Sequence, residues 1–199
     1  MTSIDADAGG LRERKKLQTR QAIHEAALRL TEERGLDGTT IEQICLDADV
    51  SPRTFFNYFP SKAAAVLNMP ESVVSEEAAA RFRAAEGGLV PALCELIGSA
   101  VDYGAERRRM KALVKRRPEL MPAVAQWMGT VRSAYVALAE ERAADGEAGA
   151  AVALVMAALS VGVHDPDVAE RTGAAYLLEV VDRLVSARDV RMDPAAVPA

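Results

Sequence analysis

The segment Thr39–Lys62, TTIEQICLDADVSPRTFFNYFPSK, restricts the fold more than any other stretch, because three helix starts fall within its 24 residues. Thr40 is a strong N-cap and Gln43, three positions on, completes a capping-box pattern. Ile41, Ile44, Cys45 and Ala48 give the first helix a small apolar face. Asp49 closes a turn and Val50 returns to the core. Ser51-Pro52 restarts the helix, since the hydroxyl caps free N–H groups and proline at the first helical position forfeits no hydrogen bond. Two short helices joined this tightly make a helix-turn-helix. In the second helix Phe55 and Phe59 lie four apart and face inward, leaving Arg53, Thr54, Asn57 and Tyr58 towards the open side or the helix start. These groups suit phosphates and base edges, and the second helix of such a motif enters the major groove of DNA. Ser61-Lys62 opens a third helix, where backbone N–H groups and a cation are expected to hold a phosphate.

With the preceding helix ending at Arg34-Gly35, this run resembles the DNA-binding domain of the tetracycline-repressor (TetR) family of bacterial transcription regulators. The resemblance is carried by Thr39-Thr40, Ile44, Val50-Ser51, Thr54, Tyr58-Phe59 and Ser61-Lys62. Three positions depart from the pattern: Asp49 stands where the family usually has Gly, Cys45 where it has Ala, and Phe56 where Tyr is frequent. Asp tolerates left-handed backbone, so the turn is expected to survive. Phe56 lacks the hydroxyl that a Tyr would offer a phosphate.

The rest of the chain is helical in pattern, rich in Ala, Leu, Glu and Arg, with no alternating strand-like run. The first helix is expected over 11–34 with Ile23, Ala26, Ala27 and Leu30 as its buried stripe, stopped by Gly35. A fourth helix starts at Ser61 and ends or kinks at Pro70, followed by helical stretches over 71–85, 91–103 and 105–117. A long helix spans 121–144 up to Asp145-Gly146, and a last pair, 148–163 and 166–187, is joined at His164-Asp165-Pro166. This predicts an all-α protein of about nine helices. Its expected parts are a disordered tail at 1–10, a helix-turn-helix domain at 11–66, an effector-binding and dimerisation domain at 67–188, and a loose tail at 189–199.

At 199 residues the chain can bury a substantial core, but its formal net charge of -5 is unusual for a DNA binder. The distribution matters more than the total. Arg12, Arg14, Lys15, Lys16 and Arg20 precede the motif with only Glu13 among them, which favours attraction to the DNA backbone. A second basic run from Arg107 to Arg117 holds seven cations and no acid. Spread over three turns, they cannot share one stripe, so part of that run is expected to be plain surface. Cys45 and Cys94 fall on apolar faces and nothing before Leu11 resembles a signal peptide, so a reduced cytoplasm is expected. The longest uncharged stretch, Ala148–Val163, is too short for a membrane span. No nucleophile elbow, phosphate loop or metal-ligand spacing is present, and no enzyme, cofactor or metal is expected.

The resemblance implies a homodimer on double-stranded operator DNA. Phosphate contacts would come from Thr40, Tyr58, Lys62 and Arg20, and base reading from Arg53, Thr54 and Asn57. It also implies a pocket for a small apolar or amphipathic effector among the middle helices, for which Phe82, Tyr103, Met110, Trp127, Met128 and Tyr135 are candidates. The last two helices would pair with their copies as a four-helix bundle through Leu154, Leu159, Leu177, Leu178, Val181 and Leu184. A repressor released by its effector is the expected function. The alternative is a DNA-binding dimer with no effector, its C-terminal bundle serving dimerisation or a protein partner.

Overall fold

The computed structural model describes residues 5–100, 105–143, 146–164 and 173–187. Ten α-helices account for most of them: α1 (Asp5–Arg34), α2 (Ile41–Asp47), α3 (Pro52–Tyr58), α4 (Lys62–Val66), α5 (Glu76–Ala84), α6 (Leu89–Ala100), α7 (Ala105–Arg116), α8 (Met121–Glu140), α9 (Glu147–His164) and α10 (Ala174–Ala187). A single 3-10 turn, Pro118–Leu120, lies between α7 and α8, and no strand occurs among the described residues. The all-α expectation holds.

The chain divides into two compact units, one formed by 1–72 with 109–129 and the other by 73–108 with 130–199. In the first, α1 contributes Ile23, Ala26, Ala27 and Leu30, each no more than 5% exposed, as the expected stripe. Ile44 and Cys45 of α2, Phe55 of α3, Phe59, Ala64–Val66 of α4, and Leu113 and Leu120 from the returning segment complete that core. His24 is buried within it and its Nδ1 lies 2.8 Å from the carbonyl oxygen of Ala65.

Four successive helices begin with a hydroxyl N-cap. The side chains of Thr40, Ser51, Ser61 and Ser75 accept from the backbone N–H of Gln43, Thr54, Ala64 and Ala78 at 3.3, 3.0, 3.1 and 3.2 Å. Two helices end in left-handed residues other than glycine. After α2, Asp49 has φ 52° and the N–H of Val50 closes onto the Cys45 carbonyl at 3.0 Å. After α4, Asn68 has φ 46°, its N–H bonds to Ala65 and that of Met69 to Ala64 at 3.2 and 3.0 Å. The second is the reciprocal pair that ends a helix sharply, with Pro70 behind it.

In the second unit α6 packs against α9 and α10, and α5 packs on α6. Phe82, Leu93, Ile97, Tyr135, Leu138, Val152, Val155, Leu177 and Val180 are among the members of its core. Gly98 of α6 is needed where the start of α10 comes close: a Cβ there would lie 2.7 Å from the backbone nitrogen of Ala174. Arg142 holds the end of α5, donating to the carbonyls of Phe82 and Ala85 at 2.8 and 2.7 Å with its guanidinium 5.1 Å from the Phe82 ring centre. Arg83 bonds to Glu141 at 2.7 Å and to Glu76 at 3.0 Å, holding the Glu141 carboxyl below the usual carboxylate range.

Several boundaries differ from the sequence expectation. α1 already begins at Asp5, within the stretch expected to be disordered. The fourth helix stops at Val66, before Pro70, because the Asn68 turn ends it, and the next begins only at Glu76, where Ser75 caps it. α8 ends at Glu140, four residues short of expectation. α10 starts at Ala174, and the expected helix start at Pro166 lies outside the described residues, as does the expected tail at 189–199.

Candidate nucleic-acid interface

Seven residues form α3, and the two ends of that short helix are fixed by different parts of the first unit. Ser51 caps its start and its hydroxyl also lies 2.9 Å from that of Thr54. Phe55 and Phe59 are fully buried beneath it. Where the chain leaves α3, Arg20 of α1 stacks 4.1 Å above the Phe59 ring and donates to the carbonyl of Tyr58 at 3.0 Å and to that of Met69. Partial burial lowers the affinity of Arg20 for its proton, an effect opposed by Glu71. Arg20 was expected on phosphate; the structure makes it an internal clamp. A planar guanidinium with several donors can hold two carbonyls at once, and α1 places it within reach of both.

Lys62 behaves similarly. Its ammonium donates to the carbonyls of Leu36 and Thr39 at 2.7 and 3.0 Å, tying the start of α4 to the loop before α2. Two of its three donors are therefore on protein backbone, which the sequence did not reveal. Thr40 is exposed and holds the expected capping box, with its own N–H donating to Gln43 Oε1 at 3.0 Å.

The exposed surface of α3 has two edges. Arg53, Phe56 and Asn57, at i, i+3 and i+4, are all exposed and share the outward face. Thr54 and Tyr58 are half-buried, and with Asn57 they form one wall of a groove of about 400 Å³. The other wall is α1: Arg12, Lys15, Lys16 and Thr19 recur at i, i+3, i+4 and i+7 and line the groove together with Glu13. The basic run that precedes the motif thus forms a cationic wall beside α3. Lys16 also pairs with Glu71 at 3.3 Å, an exposed contact of little energetic weight. Phe56 joins this exposed face unexpectedly, and its i+3 spacing from Arg53 is the sequence signal for it.

The second basic run serves a different purpose. Arg109 and Arg116 pair with the Glu32 carboxylate at 3.0 and 3.7 Å, and Arg117 donates to the Glu32 carbonyl at 2.8 Å. These cations sit at the C-terminal end of α1, where the helix dipole favours positive charge. The side chains of Arg107 and Arg108 lie outside the described residues.

Of the residues expected to line one effector pocket, Phe82 and Tyr135 belong to the second unit and Met110, Trp127 and Met128 to the first. In the second unit a cavity of about 400 Å³ is lined by Ala78, Arg81 and Phe82 of α5, Glu95, Leu96 and Ser99 of α6, and Gly173-Ala174 among others, so that Phe82 is the one expected residue on its wall. Tyr135 is core, its phenol pushed up by burial. Met110 packs against the core of the first unit. Trp127 is half-buried and Met128 is 40% exposed, both in the 109–129 segment. Tyr103 lies outside the described residues. Helical spacing gave these residues a face, but α8 passes from one unit to the other at Gly129, which periodicity cannot show.

Leu177 and Val181, expected on the dimer surface, belong instead to the chain's own core at 0% and 3% exposure, since the inward stripe of α10 runs through them. Leu154, Leu159, Leu178 and Leu184 are half-buried and pack against the same core. Residues left exposed on α9 include Ala150, Ala153, Ala157 and Val161, and on α10 Val185 is 56% exposed. Burial pushes the Cys45 thiol up and that of Cys94 to about 11. Among the described residues there is no cluster of three or more metal-ligating side chains, and no helix is long and apolar enough to cross a membrane.

Residues 23–68 match the family described as bacterial regulatory proteins, tetR family. The chain is 35% identical over 124 residues to the HTH-type transcriptional regulator TcmR of Streptomyces glaucescens, a match covering 56% of this chain and 54% of TcmR. The chain thus spans about half the length of this curated relative. A crystal structure from Mesorhizobium loti, assigned to the TetR family of transcriptional regulators, superposes with a TM-score of 0.52 at 18% identity, covering 86% of this chain and 95% of the other, a likeness of fold. Salmonella enterica GusR gives a TM-score of 0.46 at 26% identity over 84% of this chain and 94% of its own.

Proposed function

We propose that the chain, whose residues 23–68 match the tetR family of bacterial regulatory proteins, is a sequence-specific DNA-binding transcription regulator acting as a homodimer. The carrying observation is the outward face of α3, where Arg53 and Asn57 stand exposed beside the cationic wall of α1. Arg53 reads a base edge by the bidentate geometry open to a guanidinium, and Asn57 by that open to an amide. Lys15, Lys16 and Arg12 supply the sequence-independent attraction to phosphate, with Thr54, Tyr58 and Thr40 fixing register. In a dimer, the two α3 helices would enter successive major grooves of a roughly palindromic site.

Dimerisation is supported by α9. Ala148, Ala151, Val152, Val155 and Ala158 are buried in the chain, yet the opposite side of α9 carries no charge between 148 and 163 and exposes Ala150, Ala153, Ala157 and Val161. A second copy covering that side, with α10 alongside, would bury it. Repression relieved by a small apolar or amphipathic effector is the finer part of the proposal. Its support is the cavity against α5 and α6, mostly apolar in lining and within the size range of ligand sites.

The test is selection of bound sequences from a randomised duplex pool by the full chain, repeated with Arg53→Ala. The enriched sequence should be a palindrome, and the variant should lose preference at one position per half-site by about 1–3 kcal/mol while retaining overall binding. An unchanged preference would remove Arg53 from the reading face.

A further inference from the structure

Phe56 is 54% exposed, and isolated exposed apolar side chains are common on protein surfaces. What sets this one apart is its place. It stands at i+3 from Arg53 and immediately before Asn57, so a ring with no donor or acceptor flanks Arg53 on the exposed face, on the side away from the groove that Asn57 lines. Nor does the ring hang free: its centroid lies 5.4 Å from that of the fully buried Phe55 at an interplanar angle of 88°, an edge-to-face contact that fixes it from the core side. The buried ring therefore presents the exposed one outward at a defined position.

From this arrangement we infer that Phe56 determines sequence preference by packing against the C5-methyl group of a thymine next to the base read by Arg53. The methyl is the one apolar group that the four base pairs display in the major groove, and a phenyl ring there gains by desolvating it. A polar base edge at the same place would lose its water to a ring unable to hydrogen-bond, so Phe56 also discriminates against the other pairs. Tyrosine at this position could bind phosphate instead; phenylalanine is left with the methyl.

The inference rests on the DNA-binding reading, and uracil separates the two. Deoxyuridine keeps every hydrogen-bonding group of thymidine and lacks only the methyl. Each thymine of the selected operator is replaced in turn by deoxyuridine, and binding is measured with the parent chain and with Phe56→Ala, whose exposed position leaves the fold intact. The parent should lose about four-fold in affinity for each half-site at one thymine position, the factor for one methyl removed from contact. Phe56→Ala should bind thymine and uracil duplexes equally, with an unchanged thermal midpoint. Equal binding of all uracil-substituted operators by the parent, discrimination that persists in Phe56→Ala, or an operator with no thymine at a fixed position would overturn the role of Phe56 while leaving DNA binding in place. Failure to enrich any sequence would overturn the DNA-binding reading itself.

Discussion

Two cations that look like phosphate ligands in the sequence are held by the protein. Lys62 bonds to the carbonyls of Leu36 and Thr39, and Arg20 to those of Tyr58 and Met69. Spacing identifies a basic residue near a helix start, but the carbonyls that a loop turns towards it are set by tertiary packing and leave no trace in the local pattern. Lys62→Ala should lower the stability of the first unit by about 1–3 kcal/mol, since two acceptors would lose a charged donor. Denaturant unfolding with hydrogen exchange resolved over α2 to α4 would measure this, and protection equal to the parent would show that the two bonds are not maintained. Asp49 was legible for the opposite reason. Its tolerance of left-handed backbone is a local property, and the residue is found at φ 52° with the turn intact. The caps at Thr40, Ser51 and Ser61 were legible on the same grounds, because each is completed within three residues. Phe56, by contrast, required counting along α3 to see which face it shares.

At the scale of elements, helical periodicity located the buried stripe of α1 but not the partners of the later helices. Leu177 and Val181 on α10 were read as a surface for another subunit and are core, whereas the small residues Ala153 and Ala157 of α9, which carried no signal individually, are the exposed ones. α9 carries no charge between 148 and 163 on either side, so its sequence could not say which side the chain itself covers. In the structure the chain covers the side that carries Val152 and Val155. Ala157→Arg places a charge on the exposed side without entering the core, and a desolvated unpaired charge at a subunit seam costs several kcal/mol. Sedimentation should show a monomer of normal helix content. An intact dimer with this variant would place the interface elsewhere than α9.

At the scale of the molecule, the net charge of -5 and the cationic wall of α1 are compatible because the cations are partitioned. One group, Arg12, Lys15 and Lys16, lines a groove beside α3; the other, Arg109, Arg116 and Arg117, is engaged with Glu32. The sequence reading placed one boundary between 66 and 67, yet the chain returns to the first unit over 109–129 through Leu113 and Leu120. A boundary read from composition and breaks follows the chain in order and cannot detect such a return. The central claim remains that the first unit recognises particular DNA sequences. Footprinting of the full chain on genomic DNA tests it most directly. It should protect a small set of palindromic sites whose half-site centres lie about one helical turn or a multiple apart, with affinity falling steeply as salt is raised. Absence of protection at low salt, or protection spread evenly over all sequences, would contradict the account.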